Sequence, residues 1–337
     1  MILKMVALAN KEAVMGRHLD AFCESFREKR SFDIGFEPVI GYPNRSCSDL
    51  NLVIMIHGLG GCTHQYDGLN TYFKDQGFFT CLLPLPGHNS VSPYDLIVSS
   101  QDYFDFCDHV ASHLKNMHHA NISSLNFHFV GMSFGAAFVR KISDELTASG
   151  IKSNSVYISP FLHLSGAINQ LKAEAVRFFD KSFYGIFEPL LNRLPIIRGR
   201  FNGKGVHGLP CIAIARAFDF AQQSHASKAQ SMPRLIVQPV RDKVVSSDAA
   251  IARYQERVTF VTMHGHPHQM LDDERVDASH LTALNTLIFN GLTLFQSQEE
   301  SGTYENESSY FIRPALLCGS FIAMVSAYRY FCSASKR

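Results

Sequence analysis

Short, nearly unbroken apolar runs recur along the chain: LVIMI at 52–56, FTCLLPL at 79–85, FHFV at 127–130, VYIS at 156–159, LIVQPV at 235–240 and VTFVTM at 258–263. They are too short for ordinary helices and lack the strict alternation of a half-exposed strand. Each therefore predicts a strand covered on both faces. Stretches of helical character lie between them, at Tyr103 to Leu114, Ala136 to Ala148 and Asp248 to Glu256, with an amphipathic stretch at 11–30 ahead of the first strand. Strand and helix in alternation predict an α/β fold: a mostly parallel central sheet with helices on both faces.

The rhythm breaks twice. Residues 161–230 separate two strands with far more chain than a crossover needs. Within them, 161–210 carries Lys172, Arg177, Lys181, Arg193, Arg198, Arg200 and Lys204, together with Phe178, Phe179, Phe183, Tyr184 and Phe187. An insertion here is expected to form a helical cap over the carboxyl edge of the sheet; the plainer reading is a set of surface helices with a solvated basic face. The second break is SQEESGTYENESS, polar and acidic, which reads as a linker. The expected layout is an N-terminal helical extension at 1–31, a core at 32–160 and 211–295, the cap at 161–210, the linker at 296–310 and an apolar tail at 311–337. The uncharged run Pro314 to Tyr328 falls short of the ~20 residues that span a bilayer, although Arg313 and Arg329 can snorkel and extend it. The tail is read either as a helix packed on the domain or as a membrane contact over 311–332, where Cys318 and Cys332 are candidate acylation positions.

Composition narrows the class. A chain of 337 residues suits one large domain with an insertion, and a formal charge of +1 gives no basic excess for nucleic acid. Eight cysteines form no CxxC pair, which argues against a zinc ribbon or a redox motif, and Cys81 and Cys211 lie in apolar runs as small core residues. The start, MILKMVALANKEAVMGRHLD, has charges inside its apolar stretch and does not read as a secretory signal. The expected compartment is cytoplasmic, with attachment to a membrane surface through the tail as an open alternative.

The chemistry centres on VGMSFGAA at 130–137. Ser133 follows the run FHFV and precedes a helical stretch, so a tight strand-to-helix turn would hold its hydroxyl at the carboxyl edge of the sheet. Gly131 and Gly135 leave room for that turn. A serine hydroxyl needs a histidine to take its proton and a carboxylate to hold the histidine. In this topology the order is serine, acid, histidine, each on a loop after a later strand. Asp242, just past LIVQPV, is the expected acid. After VTFVTM comes HGHPH, where His264, His266 and His268 compete. His266, which follows Gly265 at a sharp turn, is the expected base, and His268 is the second choice. The turn HGLGG at 57–61 follows LVIMI and is expected to aim backbone N–H groups at a developing oxyanion, with the amides of Leu59 and Phe134 as donors. His57 is expected to brace that turn by hydrogen bonding rather than to serve as the base. No cofactor or metal is expected, since no histidine and carboxylate cluster has ligand spacing.

On these residues the chain resembles the α/β-hydrolases. The matching motifs are HGLGG at 57–61, PLPGHN at 84–89, GMSFG at 131–135, Arg241-Asp242 and Gly265-His266, and the resemblance runs over about residues 32–295. It looks nearest to the carboxylesterase and monoacylglycerol lipase branch. Asn89 stands where that family usually has glycine, and Phe134 where it more often has a small residue or methionine; both bear on substrate size. The resemblance implies a serine ester hydrolase acting through an acyl-enzyme on Ser133; the aromatic, basic cap and the apolar tail suggest lipid-like acyl substrates presented at a membrane. Acyl transfer or thioester cleavage by the same residues, and a binding protein of this fold without turnover, remain alternatives.

Overall fold

The computed structural model describes residues 2–28, 38–45, 49–88, 93–120, 125–166, 170, 174–178, 180, 195–197, 209–226, 231–240, 242–254, 258–263, 268, 270–271 and 276–293. The expected linker and apolar tail lie outside the described residues. Among the described residues no helix is long and apolar enough to cross a membrane.

Seven strands form the main sheet: β1 Val39–Gly41, β2 Leu50–Ile56, β3 Phe79–Leu83, β4 Leu125–Met132, β5 Ser153–Ile158, β8 Leu235–Pro239 and β9 Thr259–Met263, in the order β1-β3-β2-β4-β5-β8-β9. β1 runs antiparallel to β3, and every other pairing is parallel. The six apolar runs correspond to β2, β3, β4, β5, β8 and β9; β1 is an edge strand that no such run signalled. A second, two-stranded antiparallel sheet joins β6 Pro195–Ile197 to β7 Leu209–Pro210.

Why β2 is apolar from Leu52 to Ile56 is visible in its packing. Leu52, Ile54 and Ile56 join one core layer and Val53 and Met55 the other, because successive side chains point to opposite faces and both faces are covered. On the first face lie α3 Ser100–His119 and α4 Gly135–Ala148, with α5 Cys211–Ala226 against both. On the second lie α2 Asp67–Asp75 and α7 Ala278–Thr293. α6 Ser247–Tyr254 follows β8. α3 starts with a capping box, in which Ser99 Oγ accepts from Asp102 N–H at 3.1 Å and Asp102 Oδ2 accepts from Ser99 N–H at 2.9 Å.

Between β5 and β8 the described part of the long interval contains β6, β7, α5 and a helical stretch at 174–178. Two ion pairs of opposite sense tie that stretch and Asp180 to α5: Arg177 Nη2 to Asp219 Oδ1 at 2.7 Å, and Arg216 Nε to Asp180 Oδ2 at 3.2 Å. Arg177 is therefore engaged rather than part of a solvated basic face.

The helix at the start of the chain, α1 Ile2–Glu28, docks on the core. Met15, Leu19, Phe22 and Phe26 repeat at three- and four-residue spacing and are fully buried. Phe22 meets Phe26 edge-on with ring centroids 4.9 Å apart, and Phe26 meets Phe106 of α3 at 5.9 Å. Phe22→Ala is expected to destabilise the protein by about 3–5 kcal/mol, the usual range for emptying a phenylalanine site in a core. Urea unfolding checks it, and an unchanged midpoint would mean that α1 contributes no core packing.

Candidate active site

β2 and β4 are neighbours from which the chain winds outward in opposite directions, so the crevice beyond their carboxyl ends is where an open α/β sheet offers a ligand site. Two sequence motifs emerge there. Register pairs Ile56 with Gly131, so the turn after β2 and the turn after β4 leave the sheet side by side.

Ser133 holds φ at +53°, the left-handed region that side chains rarely adopt. Its N–H donates to Ile158 O of β5 at 2.7 Å, and its carbonyl accepts from Phe161 N–H and Ala136 N–H, both at 3.1 Å. The glycines on either side are needed for close approach. A Cβ at Gly131 would fall 2.6 Å from Ala136 Cα, and one at Gly135 would strike the Ile56 carbonyl. The turn after β2 is equally tight against the serine: a Cβ at Gly58 would sit 3.0 Å from Ser133 Cβ. Phe134 turns away from the pocket into the core, fully buried and edge-on to Tyr103, Phe138 and Phe220. Its bulk therefore does not narrow the space beside Ser133.

Ser133 lines a pocket with Gly58, Leu59, Gly61 and Gln65 from the segment after β2 and Met132 from the end of β4. Phe161, Leu164, Leu209, Ile214, Val244 and His268 make up the rest of the lining. The amides of Leu59 and Phe134 make no hydrogen bond among the described residues, which leaves both available to an acceptor. Gly60 N–H is taken, donating to His88 Nε2 at 2.9 Å.

His268 Nδ1 lies 2.7 Å from Asp242 Oδ2, and the Asp242 side chain is fully buried. The other carboxylate oxygen accepts from Val244 N–H at 2.8 Å and Val245 N–H at 3.0 Å. Gln238 Nε2 reaches Oδ2 at 3.4 Å and Ser247 Oγ at 3.2 Å. Donors on several sides thus fix how the carboxylate faces the imidazole. His266, the expected base, lies outside the described residues together with His264 and Gly265. Among the described residues the contact with Asp242 is made by His268, which the sequence ranked second. No hydrogen bond joins Ser133 Oγ to His268 among the described residues.

Two further histidines hold the turn after β2. His57 Nε2 accepts from Leu85 N–H at 3.2 Å, so its Nδ1–H donates to Gly58 O at 2.9 Å. His88 Nε2 accepts from Gly60 N–H, so its Nδ1–H donates to Pro86 O at 2.9 Å. The rings touch, with centroids 5.1 Å apart. His57 braces the turn as its sequence context suggested. The role of His88 was not read from PLPGHN, because a contact across 28 residues leaves no local pattern. Burial holds both rings neutral, lowering the pKa of His57 to about 4 and, with the nearby His57, that of His88 to about 3. Buried His128 and His225 are lowered to about 4 and about 3 in the same way.

These folded-state values lie below the ordinary histidine value of about 6.5. The unfolded chain therefore binds protons that the folded chain refuses, and the contribution of these groups to stability is complete above about pH 6.5 and declines as pH falls toward their folded values. The urea midpoint is expected to be lower near pH 5 than near pH 7. An equal or higher midpoint at pH 5 would contradict four neutral buried rings.

No protein-family model and no curated protein sequence matches this chain. Solved structures do match. A soluble variant of monoglyceride lipase from Saccharomyces cerevisiae, in complex with a substrate analog, aligns at TM-score 0.61 and 13% identity over 79% of this chain and 94% of that one. The monoacylglycerol lipase of Paleococcus ferrophilus aligns at TM-score 0.54 and 16% identity over 77% and 100%. A thermostable carboxyl esterase from Bacillus coagulans, in complex with glycerol, aligns at TM-score 0.51 and 12% identity over 78% and 96%. With a mostly parallel seven-stranded sheet, a serine on a strained turn after β4 and this likeness to lipases and esterases, the chain has the α/β-hydrolase fold.

Proposed function

We propose that this protein is a serine hydrolase of carboxylic esters, acting through an acyl-enzyme on Ser133 with His268 as base and Asp242 as its orienting acid. The observation that carries the reading is the 2.7 Å contact between His268 and the buried Asp242 carboxylate, on the edge of the pocket that Ser133 lines. The fold alone does not argue for it, since one fold hosts many chemistries; lipases and carboxyl esterases among the similar structures agree with it.

In this mechanism Asp242 accepts the Nδ1–H of His268 and so leaves Nε2 as the proton acceptor. Ser133 Oγ attacks the ester carbonyl carbon as Nε2 takes its proton. The amides of Leu59 and Phe134 donate to the oxyanion that forms. The imidazolium then protonates the alcohol oxygen as the C–O bond breaks. Water repeats the sequence on the acyl-enzyme and frees the acid. Leu164, Leu209, Ile214 and Val244 make an apolar wall for the acyl chain. The interval between β5 and β8 serves as a cap that supplies much of this wall, which favours lipid-like acyl groups.

Ser133→Ala is expected to lower hydrolysis of p-nitrophenyl esters by about a thousandfold or more, and to abolish labelling by a fluorophosphonate probe. His268→Ala is expected to match that loss, while His266→Ala keeps most of the activity. The opposite ranking of the two histidine variants would return the base to His266. A wild type that neither turns over esters nor labels would favour a binding protein of this fold.

A further inference from the structure

A second cavity lies behind one wall of the pocket beside Ser133. The segment after β5 separates the two: Phe161 and Leu164 line the pocket, and Leu162 and His163 line the other cavity, of about 340 Å³. That volume falls in the range of small-molecule sites. Its other polar lining comes from Gln222 and His225 of α5 and Arg253 of α6. No carboxylate lines it among the described residues.

Two groups there have donors to spare. Arg253 Nη2 donates to His225 O, and Arg253 forms no ion pair among the described residues. Most of its N–H donors are therefore left for another acceptor. His225 is almost fully buried; burial, then the charges of Arg140 and Arg253, keep its ring neutral, so one ring nitrogen carries the hydrogen. Tyr254 Oη lies 2.6 Å from Nδ1. With Tyr254 donating, Nε2 carries the ring hydrogen and is the one atom of this pair left without a partner among the described residues. The reverse sense would strand the tyrosine hydrogen as well as Nε2. The first arrangement is favoured, and it leaves a buried N–H donor unpaired, a costly state that native structures seldom keep without a use. An anionic oxygen is the acceptor that suits both a guanidinium and this N–H.

The wall between the cavities is tied to the proposed catalytic acid. Ser246 N–H donates to His163 O at 2.8 Å and Ser165 N–H to Val244 O at 2.9 Å. The same loop turns the Val244 and Val245 amides onto Asp242. A shift of His163 is thus passed both to Leu164 in the pocket and to the loop that holds the carboxylate.

We propose that this cavity is a second ligand site, for a small organic anion whose carboxylate or phosphate is held by Arg253 and the Nε2–H of His225, and that its occupancy alters turnover at Ser133 through the shared wall. Nε2 is shielded from solvent, so the exposed Arg253 side chain rearranges to admit the ligand. The coupling, unlike the binding, rests on the ester-hydrolase reading above.

Calorimetric titration of the full-length protein at low salt with sodium phosphate and with sodium acetate tests the site, with chloride at equal ionic strength as control. At least one oxyanion is expected to bind wild type and Ser133→Ala alike, and the tighter of the two identifies the head group. Arg253→Gln is expected to weaken binding by about tenfold or more, the loss expected for a hydrogen bond to a charged group. Arg253→Lys, which keeps the charge, should recover part of it. Saturation with the anion is expected to change kcat/KM on p-nitrophenyl octanoate by about fivefold in wild type and not in Arg253→Gln. No binding of either anion, or equal binding by Arg253→Gln, would overturn the site. Binding that leaves kcat/KM unchanged would make it an adventitious ion only. A wild type that binds the anion but hydrolyses no ester would sink the hydrolase reading and the coupling with it, and leave the site standing.

Discussion

The left-handed backbone at Ser133 is the constraint from which the site follows. A non-glycine residue with φ near +53° carries strain of about 1–3 kcal/mol and persists only where its surroundings over-determine it. Here they do. Strand β5 accepts the Ser133 amide, Phe161 holds its carbonyl, and Gly131 and Gly135 let the sheet and α4 close around the turn. The reversal between β4 and α4 then has one geometry, with the serine at the sheet edge and the side chain of Phe134 sent into the core. The aromatic cluster of Tyr103, Phe138 and Phe220 around Phe134 anchors the turn from behind.

Around that turn, the buried polar groups are held in defined states by directed hydrogen bonds. His57 and His88 are neutral because burial disfavours their charged forms, and each uses one nitrogen as acceptor and the other as donor. A charged ring would present a second N–H to a backbone N–H and break the support of the HGLGG turn. Asp242 is surrounded by donors, and His268 is one of them.

Most of the sheet was legible in the sequence because strands covered on both faces are rich in apolar residues, as in β2, β3, β4, β5 and β8; β9 was also read from its apolar run, although it lies at the sheet edge and is only partly buried. The edge strand β1 escaped because three residues in an edge position carry no such demand. The Gly-x-Ser-x-Gly spacing was legible for a related reason: the glycines are required by contacts within a few residues of chain or with the adjacent strand.

The sequence by itself determined the six apolar strands, the place of Ser133 on a strand-to-helix turn, and Asp242 on the loop after β8, since these depend on local period and local sterics. It could not choose among His264, His266 and His268, because the choice depends on which ring spans to a carboxylate more than twenty residues earlier in the chain. Only the tertiary structure brought His268 to Asp242, set His88 under Gly60 and Arg177 against Asp219, and left the Gln65 amide on the wall of the pocket. Each of these is a contact between elements distant in sequence, and such contacts are decided by how the layers pack rather than by any spacing along the chain.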